Sequence, residues 1–242
     1  LKVIRHKKCA STNDEIKRYF NQISTPTPVC LITDNQYGGK GQLGAKWSSL
    51  PNKNLTFSFL FPNINLSIEE TFKINLLTIL KLNEAFKSQD ITNLLFKWPN
   101  DLILQNKKIG GILIENILQA NLIKRSVIGI GINLNQTDFK SHPKASSLKR
   151  ICQRPFDIDQ FFRQIILHFE DFEEQLHAMS FNFLLQAYHQ LLFRLGKTSM
   201  FELNESFLPG IIRKVNKNGR LVVEFEDRLI QDFDVKEIKL IY

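Results

Sequence analysis

Cysteine is scarce and badly placed for cross-linking: the 242-residue chain has three, Cys9, Cys30 and Cys152, with no C-x-x-C pair among them. An odd number without that spacing argues against a disulfide framework and a thiol zinc site, and fits plain thiols in a reducing compartment. Histidine is equally sparse. His6, His142, His168, His177 and His189 show no H-E-x-x-H or other ligand spacing, so histidine is not expected to hold a metal. No apolar run reaches the roughly 18 residues of a membrane helix. The opening LKVIRHKKCA also lacks the apolar stretch of a signal peptide. The expected location is cytoplasmic, with no membrane partner. Internal repeats and low-complexity segments are lacking too.

What remains is an ordinary globular composition, 43% hydrophobic and 23% charged, at a length that suits one sizeable core plus a small attachment. The formal net charge of +8 would suit a polyanionic partner, nucleic acid or an acidic protein. Its lysines are spread along the chain rather than gathered in a basic arm, so a solvated basic surface explains the charge equally well.

The segment STNDEIKRYFNQI places Thr12 three residues before Glu15, a capping-box arrangement, then Ile16, Tyr19, Phe20 and Ile23 at helical spacing. A helix is expected to start at Thr12 or Asn13. VCLIT and NLTFSFLF read as strands, and Ser67 with Glu70 reads as a second capping box before a long helix ending near Lys87. NLLFKW, DLILQNKKIGGILIENIL and LIKRSVIGIGINLN read as further strands joined by tight polar turns such as Gln105 to Lys107. DIDQFFRQIILHFEDFEEQLHAM and SFNFLLQAYHQLLF read as two helices, the first with Phe161, Phe162, Ile165, Ile166 and Phe169 on one core face. After RLGKTSMFELNES come the short strands GIIRKVN, LVVEFED, LIQDFD and EIKLIY, with a turn at Asn218-Gly219. The fold class is α+β: a mostly antiparallel central sheet with helices, and a small barrel-type β unit at the end.

Between VCLIT and NLTFSFLF lies QYGGKGQLGAKW, where Gly39, Gly41 and Gly44 are spaced G-x-G-x-x-G. A dinucleotide fingerprint needs a helix directly after the third glycine. Here AKWSSLPNKN follows, with Pro51 and two asparagines that bar a helix. A P-loop and a kinase loop fail as well, for lack of Gly-Lys-Ser/Thr and of H-R-D and D-F-G. The loop keeps Lys40, Gln42 and Lys46 on a glycine backbone able to approach a ligand closely and offer N–H groups to anionic oxygens. In KWPNDLILQNKKIGGILIE, Lys97, Asn100 and Asp101 surround Pro99, and Lys108 precedes Gly110 and Gly111. Polar groups clustered between apolar strands exceed what stability calls for; Asp101 suits Mg²⁺ through oxygen or water, and the lysines suit phosphate.

Taken in order, STN opening a helix, Q-x-x-G-K-G-Q-x-G-x-K-W, KWPNDL, KKIGGILIE, GIGINLN and a small C-terminal β unit resemble the biotin protein ligases over essentially the whole chain. The resemblance implies a mixed, mostly antiparallel sheet packed with helices, of the class II aminoacyl-tRNA synthetase-like kind, plus an SH3-like barrel. It implies a ligase domain over 1–195 and the barrel over 196–242. It also implies an ATP- and Mg²⁺-dependent enzyme that activates biotin as biotinyl-5′-AMP and passes it to a lysine of a biotin carboxyl carrier domain. Ser11, Thr12, Asn13 and Gln36 would meet the ureido ring, since a neutral ring needs neutral partners. Gly39, Lys40, Gly41 and Gln42 would lie near carboxylate and phosphate, with Gly111 beside biotin. Lys108 matches the lysine at the reacting carboxylate and phosphate, and Lys40 and Lys97 would share the catalytic charge. Lys97, Asn100 and Asp101 match the segment for nucleotide phosphates and Mg²⁺, Asn133 the adenosine site, and Trp47 a lid near the nucleotide.

Many members of that family carry arginine where this chain has Lys40, Gln42 and Leu43, which puts retention of the adenylate in question. The STN motif arrives at Ser11, so the resemblance implies the type without a DNA-binding domain, not a DNA partner, with a weak homodimer as the expected assembly. Two rivals stay open: a lipoate or octanoate ligase of the same fold, and a basic nucleic-acid-binding module.

Overall fold

A computed structural model describes residues 1–23, 26–226 and 228–242. Its main sheet takes strands from the first half of the chain: β1 (Lys2–His6), β2 (Val29–Thr33), β5 (Leu55–Phe61), β6 (Leu66–Ser67), β7 (Leu95–Lys97), β8 (Asp101–Leu104), β9 (Lys107–Gln119) and β10 (Leu122–Ile132). Their order is β1-β2-β5-β10-β9-β8-β7, with β6 on β10. Strand β1 runs parallel to β2, and every other pairing is antiparallel. The mixed, mostly antiparallel sheet expected from the sequence is therefore present. The Gln105–Asn106 turn between β8 and β9 takes positive φ at both residues (48° and 59°), the hairpin geometry that polar residues tolerate best.

Helix α1 (Thr12–Ile23) lies on one face of this sheet, where Ile16 and Phe20 pack on Val29, Leu31, Leu60 and Val127. It begins where expected, but its cap is Ser11, not Thr12: the Ser11 Oγ accepts from the Asp14 N–H at 3.4 Å. Asp14 and Glu15 face the positive end of the helix dipole. The Ile23 side chain lies outside the described residues.

The other face is covered by α2 (Thr71–Lys87), α4 (Ile158–Phe169), α5 (Phe172–Ala178) and α6 (Phe181–Leu191), with the short α3 (Leu148–Cys152) beside them. Ser67 accepts from Glu69 N–H, so it caps a 3-10 turn over Ile68–Glu70 that leads into α2. Along β5 the side chains of Phe57, Phe59 and Phe61 point to this face. Phe59 stacks on Phe169 at 4.5 Å and Phe61 on Phe172 at 4.4 Å between ring centroids. Burying each such ring contributes roughly 2–3 kcal/mol, so this aromatic layer is the main anchor of the helices. Phe161, Phe162, Ile165 and Phe169 of the predicted stripe are buried, and Ile166 is half-buried.

The single helix expected over DIDQFFRQIILHFEDFEEQLHAM is two, broken at Glu170 and Asp171. Asp171 accepts from the buried Lys81 ammonium at 2.6 Å and also from Gln175 Nε2. A buried ammonium needs a carboxylate, and that demand outweighs helical continuity.

The chain ends in a second sheet: β11 (Thr198–Leu203), β12 (Ser206–Val215), β13 (Leu221–Phe225), β14 (Ile230–Phe233) and β15 (Lys239–Ile241), in the order β14-β13-β12-β11-β15. All ladders are antiparallel, and among the described residues no ladder joins β14 to β15. Strand β11 was not foreseen, because its turn to β12 is Asn204-Glu205, both at positive φ, rather than a glycine signal. The core is continuous between the two sheets: Phe201, Ile212 and Val223 join the same buried cluster as Phe57 and Phe96. No helix is long and apolar enough to cross a membrane, among the described residues.

Candidate functional site

Strand register converts separate motifs into one surface. On the face that carries α1, cross-strand partners run Thr33, Thr56, Gly131, Gly111, Asp101 and Lys97 across β2, β5, β10, β9, β8 and β7. Two residues along, the neighbouring row runs Leu31, Ser58, Gly129 and Leu113. The middle of both rows is glycine, threonine and serine, so the sheet is low there while α1 and the glycine loop stand above it. That depression is a cavity of about 300 Å³.

The two glycines of GIGI are required by what lies on them. A Cβ at Gly129 would sit 2.9 Å from Asn13 Cγ and 3.1 Å from its Nδ2; one at Gly131 would sit 2.6 Å from Trp47 Cζ2. Ile128, Ile130 and Ile132 alternate with them into the opposite core.

One end of the cavity is neutral and polar. The chain before α1 pairs with the start of the glycine loop, where Cys9 N–H donates to Asn35 O and Tyr37 N–H to Cys9 O. This brings Gln36 to the helix N-terminus, where its Oε1 accepts from the Thr12 N–H at 2.8 Å. The Ser58 and Thr12 hydroxyls are 2.7 Å apart, and Ser58 Oγ is 2.6 Å from Asn13 Oδ1. Asn13 Nδ2 donates to Glu115 Oε2 at 2.6 Å, and Lys17 Nζ holds the other oxygen at 2.8 Å. Ser11, Thr12, Asn13, Gln36 and Ser58 are all buried.

The roof is the glycine loop, folded as a two-strand ribbon of β3 (Gly39–Lys40) and β4 (Lys46–Trp47) around a 3-10 turn at Gln42–Gly44. Leu43, at the tip, has φ 55° and is exposed. Trp47 lies on Gly131 and divides the cavity from a second one of about 390 Å³, which is lined by Leu50, Asn133, Gln136 and Phe139 among others. Trp47 and Lys108 line both. Three buried polar atoms around this boundary have no protein partner: Gln42 Oε1, Trp47 Nε1 and Asn133 Oδ1. Buried polar groups left unpaired are costly, so these three are open to a partner from outside the chain, a ligand or water.

The charged groups distribute unevenly. Lys108 Nζ pairs with Asp101 Oδ1 at 2.5 Å in the cavity wall. Lys97 shares the row but is absent from the cavity lining: its ammonium sits 5.4 Å from the Tyr242 ring centroid, with Lys144 at 5.0 Å on the same ring. Burial lowers the Lys97 pKa, against the opposing charge of Asp101. Burial, and then Asp101, push the Tyr242 hydroxyl up to about 12. The Lys40 ammonium turns outward to Asp14 Oδ2 at 2.6 Å, and that hydrogen bond raises its pKa. Asn100 clamps the KWPND turn onto β9, accepting from Ile112 N–H at 3.0 Å and donating from Nδ2 to Ile112 O at 2.9 Å. Trp98 Nε1 donates to Gly219 O at 2.8 Å, tying this turn to the β12–β13 connection, and Val235, between β14 and β15, also lines the first cavity.

Thus Ser11, Thr12, Asn13, Gln36, Lys40, Gly41, Gln42, Trp47, Asn100, Asp101, Lys108 and Gly111 line one cavity. Gly39 lies on the far side of the loop, and Asn133 lines the second cavity. For Mg²⁺, no group of three or more His, Cys, Asp or Glu forms a metal site among the described residues. Asp101 fits only as a single carboxylate for an ion that takes its remaining ligands from phosphates and water.

Sequence reading missed Ser58, Thr56, Glu115, Gly129 and Gly131 as site residues. Ser58 and Thr56 interrupt an apolar strand with small polar side chains on one face, and the G-I-G-I alternation marks a strand that must stay low on one side. Both signals were legible. Glu115 carries no local signal.

A profile of the biotin/lipoate A/B protein ligase family matches residues 7–133. Among curated relatives, the bifunctional ligase/repressor BirA of Bacillus subtilis is 28% identical over 173 residues, covering 69% of this chain and 52% of that protein. The chain therefore spans about half the length of that relative. The biotin--[acetyl-CoA-carboxylase] ligase of Paracoccus denitrificans is 22% identical over 225 residues, covering 88% of this chain and 90% of that one. Among solved structures, a biotin protein ligase from Aquifex aeolicus in complex with biotin and ATP superposes with a TM-score of 0.79 at 24% identity, covering 99% of this chain and 98% of that one. The fold is shared.

Proposed function

The chain belongs to the biotin/lipoate A/B protein ligase family, and from that premise we propose that it activates biotin with ATP and transfers it to a lysine of a carboxyl carrier domain. One observation carries the reading. A neutral polar end (Ser11, Thr12, Gln36) leads along one cavity to Lys108, which also lines a second cavity behind Trp47. That order suits an uncharged ring, then a carboxylate, then a nucleotide. A lipoyl dithiolane has no use for the polar end, whose groups would be left unpaired against it.

In the first step a biotin carboxylate oxygen attacks the α-phosphorus of ATP, forming the mixed anhydride and releasing pyrophosphate. In the second, the acceptor lysine amine attacks the anhydride carbonyl, the amide forms, the amine loses a proton and AMP leaves. No protein nucleophile takes part, so the chain's contribution is alignment and charge. Lys108 holds the reacting carboxylate and α-phosphate oxygens, exchanging Asp101 for substrate. Gln42 and Trp47 supply their unpaired polar atoms to the adenylate, and Asn133 supplies its own to the adenosine. Mg²⁺, when bound with ATP, neutralises phosphate charge, and Asp101 would hold it. Lys40, which lines the cavity, reaches the phosphates by exchanging Asp14 for substrate. Lys97 acts at a distance, through the field around Asp101. We propose residues 1–195 as the ligase unit and 196–242 as a barrel-like attachment that supplies Val235 and Tyr242 to its rim.

The test is ATP-dependent incorporation of labelled biotin into a carrier domain, beside labelled lipoate, with pyrophosphate release followed in parallel. Biotin incorporation is the expected result. Lipoate incorporation without biotin, or no chemistry with either, would overturn the reading.

A further inference from the structure

The polar end of the cavity contains a hydrogen-bond chain whose direction is fixed from outside the cavity. We propose that Glu115 and Ser58 are positioning residues that hold the Thr12 hydroxyl as an acceptor towards the ligand, and so select a ring N–H over a ring oxygen. The proposal rests on the biotin reading above.

Glu115 is a carboxylate, paired with Lys17 through one oxygen, so its other oxygen can only accept. Asn13 therefore presents Nδ2 to Glu115, at 2.6 Å, and the carbonyl of Leu113, 3.4 Å away, favours the same orientation. Asn13 Oδ1 is then turned to Ser58 Oγ at 2.6 Å and can only accept, so the single Ser58 hydrogen goes there. Thr12 and Ser58 are 2.7 Å apart, and either oxygen could donate. With the Ser58 hydrogen engaged, the Thr12 hydrogen must fill that contact. The longer approach of Thr12 Oγ1 to Gln36 Oε1, 3.2 Å, then carries no hydrogen, and Gln36 is satisfied by the Thr12 N–H.

Thr12 Oγ1 is left with a free lone pair in the cavity and no hydrogen to give. A ligand N–H fits there and a ligand oxygen is repelled. Asn13, which the sequence suggested as a ligand contact and which lines the cavity, is also the link that transmits the polarity. Gly129 permits this, since a side chain there would collide with the Asn13 amide.

Exchanging Glu115 for glutamine reverses the chain. Lys17 draws the new amide oxygen, so the new NH₂ group faces Asn13. The Asn13 amide turns, its Nδ2 donates to Ser58, Ser58 donates to Thr12, and the Thr12 hydrogen is released towards the cavity. Glu115 and Lys17 are each about one-third exposed, so the fold tolerates the change.

The experiment is calorimetric binding, without ATP, of biotin and of the two cyclic carbamate analogues in which one or the other ureido N–H is replaced by oxygen. For the parent, at least one analogue should bind a hundredfold or more weakly than biotin, because a buried polar mismatch is heavily penalised. In Glu115→Gln that ratio should fall to within about tenfold. Ser58→Ala, which breaks the chain at another point, should narrow it as well, while Glu115→Asp, which keeps a carboxylate, should retain the parent's preference. An unchanged ratio in both Glu115→Gln and Ser58→Ala, with melting temperatures near the parent's, would overturn the proposal. A parent that binds biotin and both analogues equally would overturn it too. A parent that binds none of the three would overturn the biotin reading beneath it.

Discussion

Gly129 and Gly131 are two residues apart on the same face of β10, yet they support different halves of the site, and alanine at each should separate those halves. At Gly129 the added methyl would lie 2.9 Å from Asn13 Cγ and nearer still to its Oδ1. Ordinary contact begins near 3.4 Å. Asn13 cannot retreat without leaving Ser58 or Glu115, and β10 cannot retreat because it is paired on both sides, with β5 and β9. Overpacking of this kind costs about 1–3 kcal/mol. That cost is shared between the fold and the biotin end of the cavity; borne wholly by binding, at 1.4 kcal/mol per tenfold, it is a loss of biotin affinity of about 5- to 150-fold. At Gly131 the methyl would lie 2.6 Å from Trp47 Cζ2 and 2.8 Å from Nε1, so the ring must withdraw by about 0.8 Å or more to reach ordinary contact. Trp47 is half-exposed on a loop, so the ring yields more readily than Asn13, and the loss should fall on the nucleotide side with little change in melting temperature. Biotin-dependent exchange of labelled pyrophosphate into ATP reads both constants. Gly129→Ala should raise KM for biotin at least fivefold and leave that for ATP within twofold; Gly131→Ala should do the reverse. Parallel effects of the two substitutions on both constants would refute the division of the site at Trp47.

Lys108→Ala should fold normally and lower biotin-dependent pyrophosphate release about a hundredfold, the usual loss when one stabilising contact to a developing charge is removed; near-normal release from folded protein would remove Lys108 from the chemistry. Gln42→Arg gives this half-buried position, whose Oε1 is unpartnered, a charged donor, and release of biotinyl-adenylate in a filter assay should slow; an unchanged rate would count against Gln42 as the point of weak retention. His189 ties α6 to β12 through Val215, its Nε2 lying 3.1 Å from both the Val215 N and O. Burial lowers its pKa, opposed by that hydrogen bond and aided by the Lys214 charge. The unfolded chain therefore takes up the proton first as pH falls through about 6.5. Stability is unaffected above that point and declines as pH falls towards the folded-state pKa. His189→Gln should flatten the drop in melting temperature between pH 7.5 and 5.5, and an equal drop would exclude His189 as its source.

How far the sequence reached depends on how local each signal is. The Thr12–Ile23 helix, the β8–β9 hairpin and the phenylalanine stripe of α4 each follow from residues within one or two turns of chain, and each is found. The break at Asp171 was not legible, because its cause is Lys81, ninety residues earlier. Strand β1 was missed because it is mostly exposed and has no apolar alternation, and what holds it is distant in the chain: the parallel pairing with β2 and the ion pairs of Arg5 with Asp34 and Asp159. At the site, STN, the glycine loop, KWPND and KKIGG could be named as chemistry from their residue types, but not their division of labour. Lys40 and Lys97 read alike with Lys108 as cations beside glycine or proline. Only the packed structure turns Lys40 to Asp14, sets Lys97 against Tyr242, and leaves Lys108 in the wall between two cavities.

The sequence by itself determined most of the element types, the neutral and cationic groups available, and the family, because these depend on residue identity at short spacing. Tertiary structure alone decided the cross-strand row from Thr33 to Lys97, the bond from Glu115 to Asn13, and the seat of Trp47 on Gly131. The reason is physical: register between strands far apart in the chain is set by what the whole sheet buries, and a hydrogen bond acquires a direction only when both partners and their neighbours are in place.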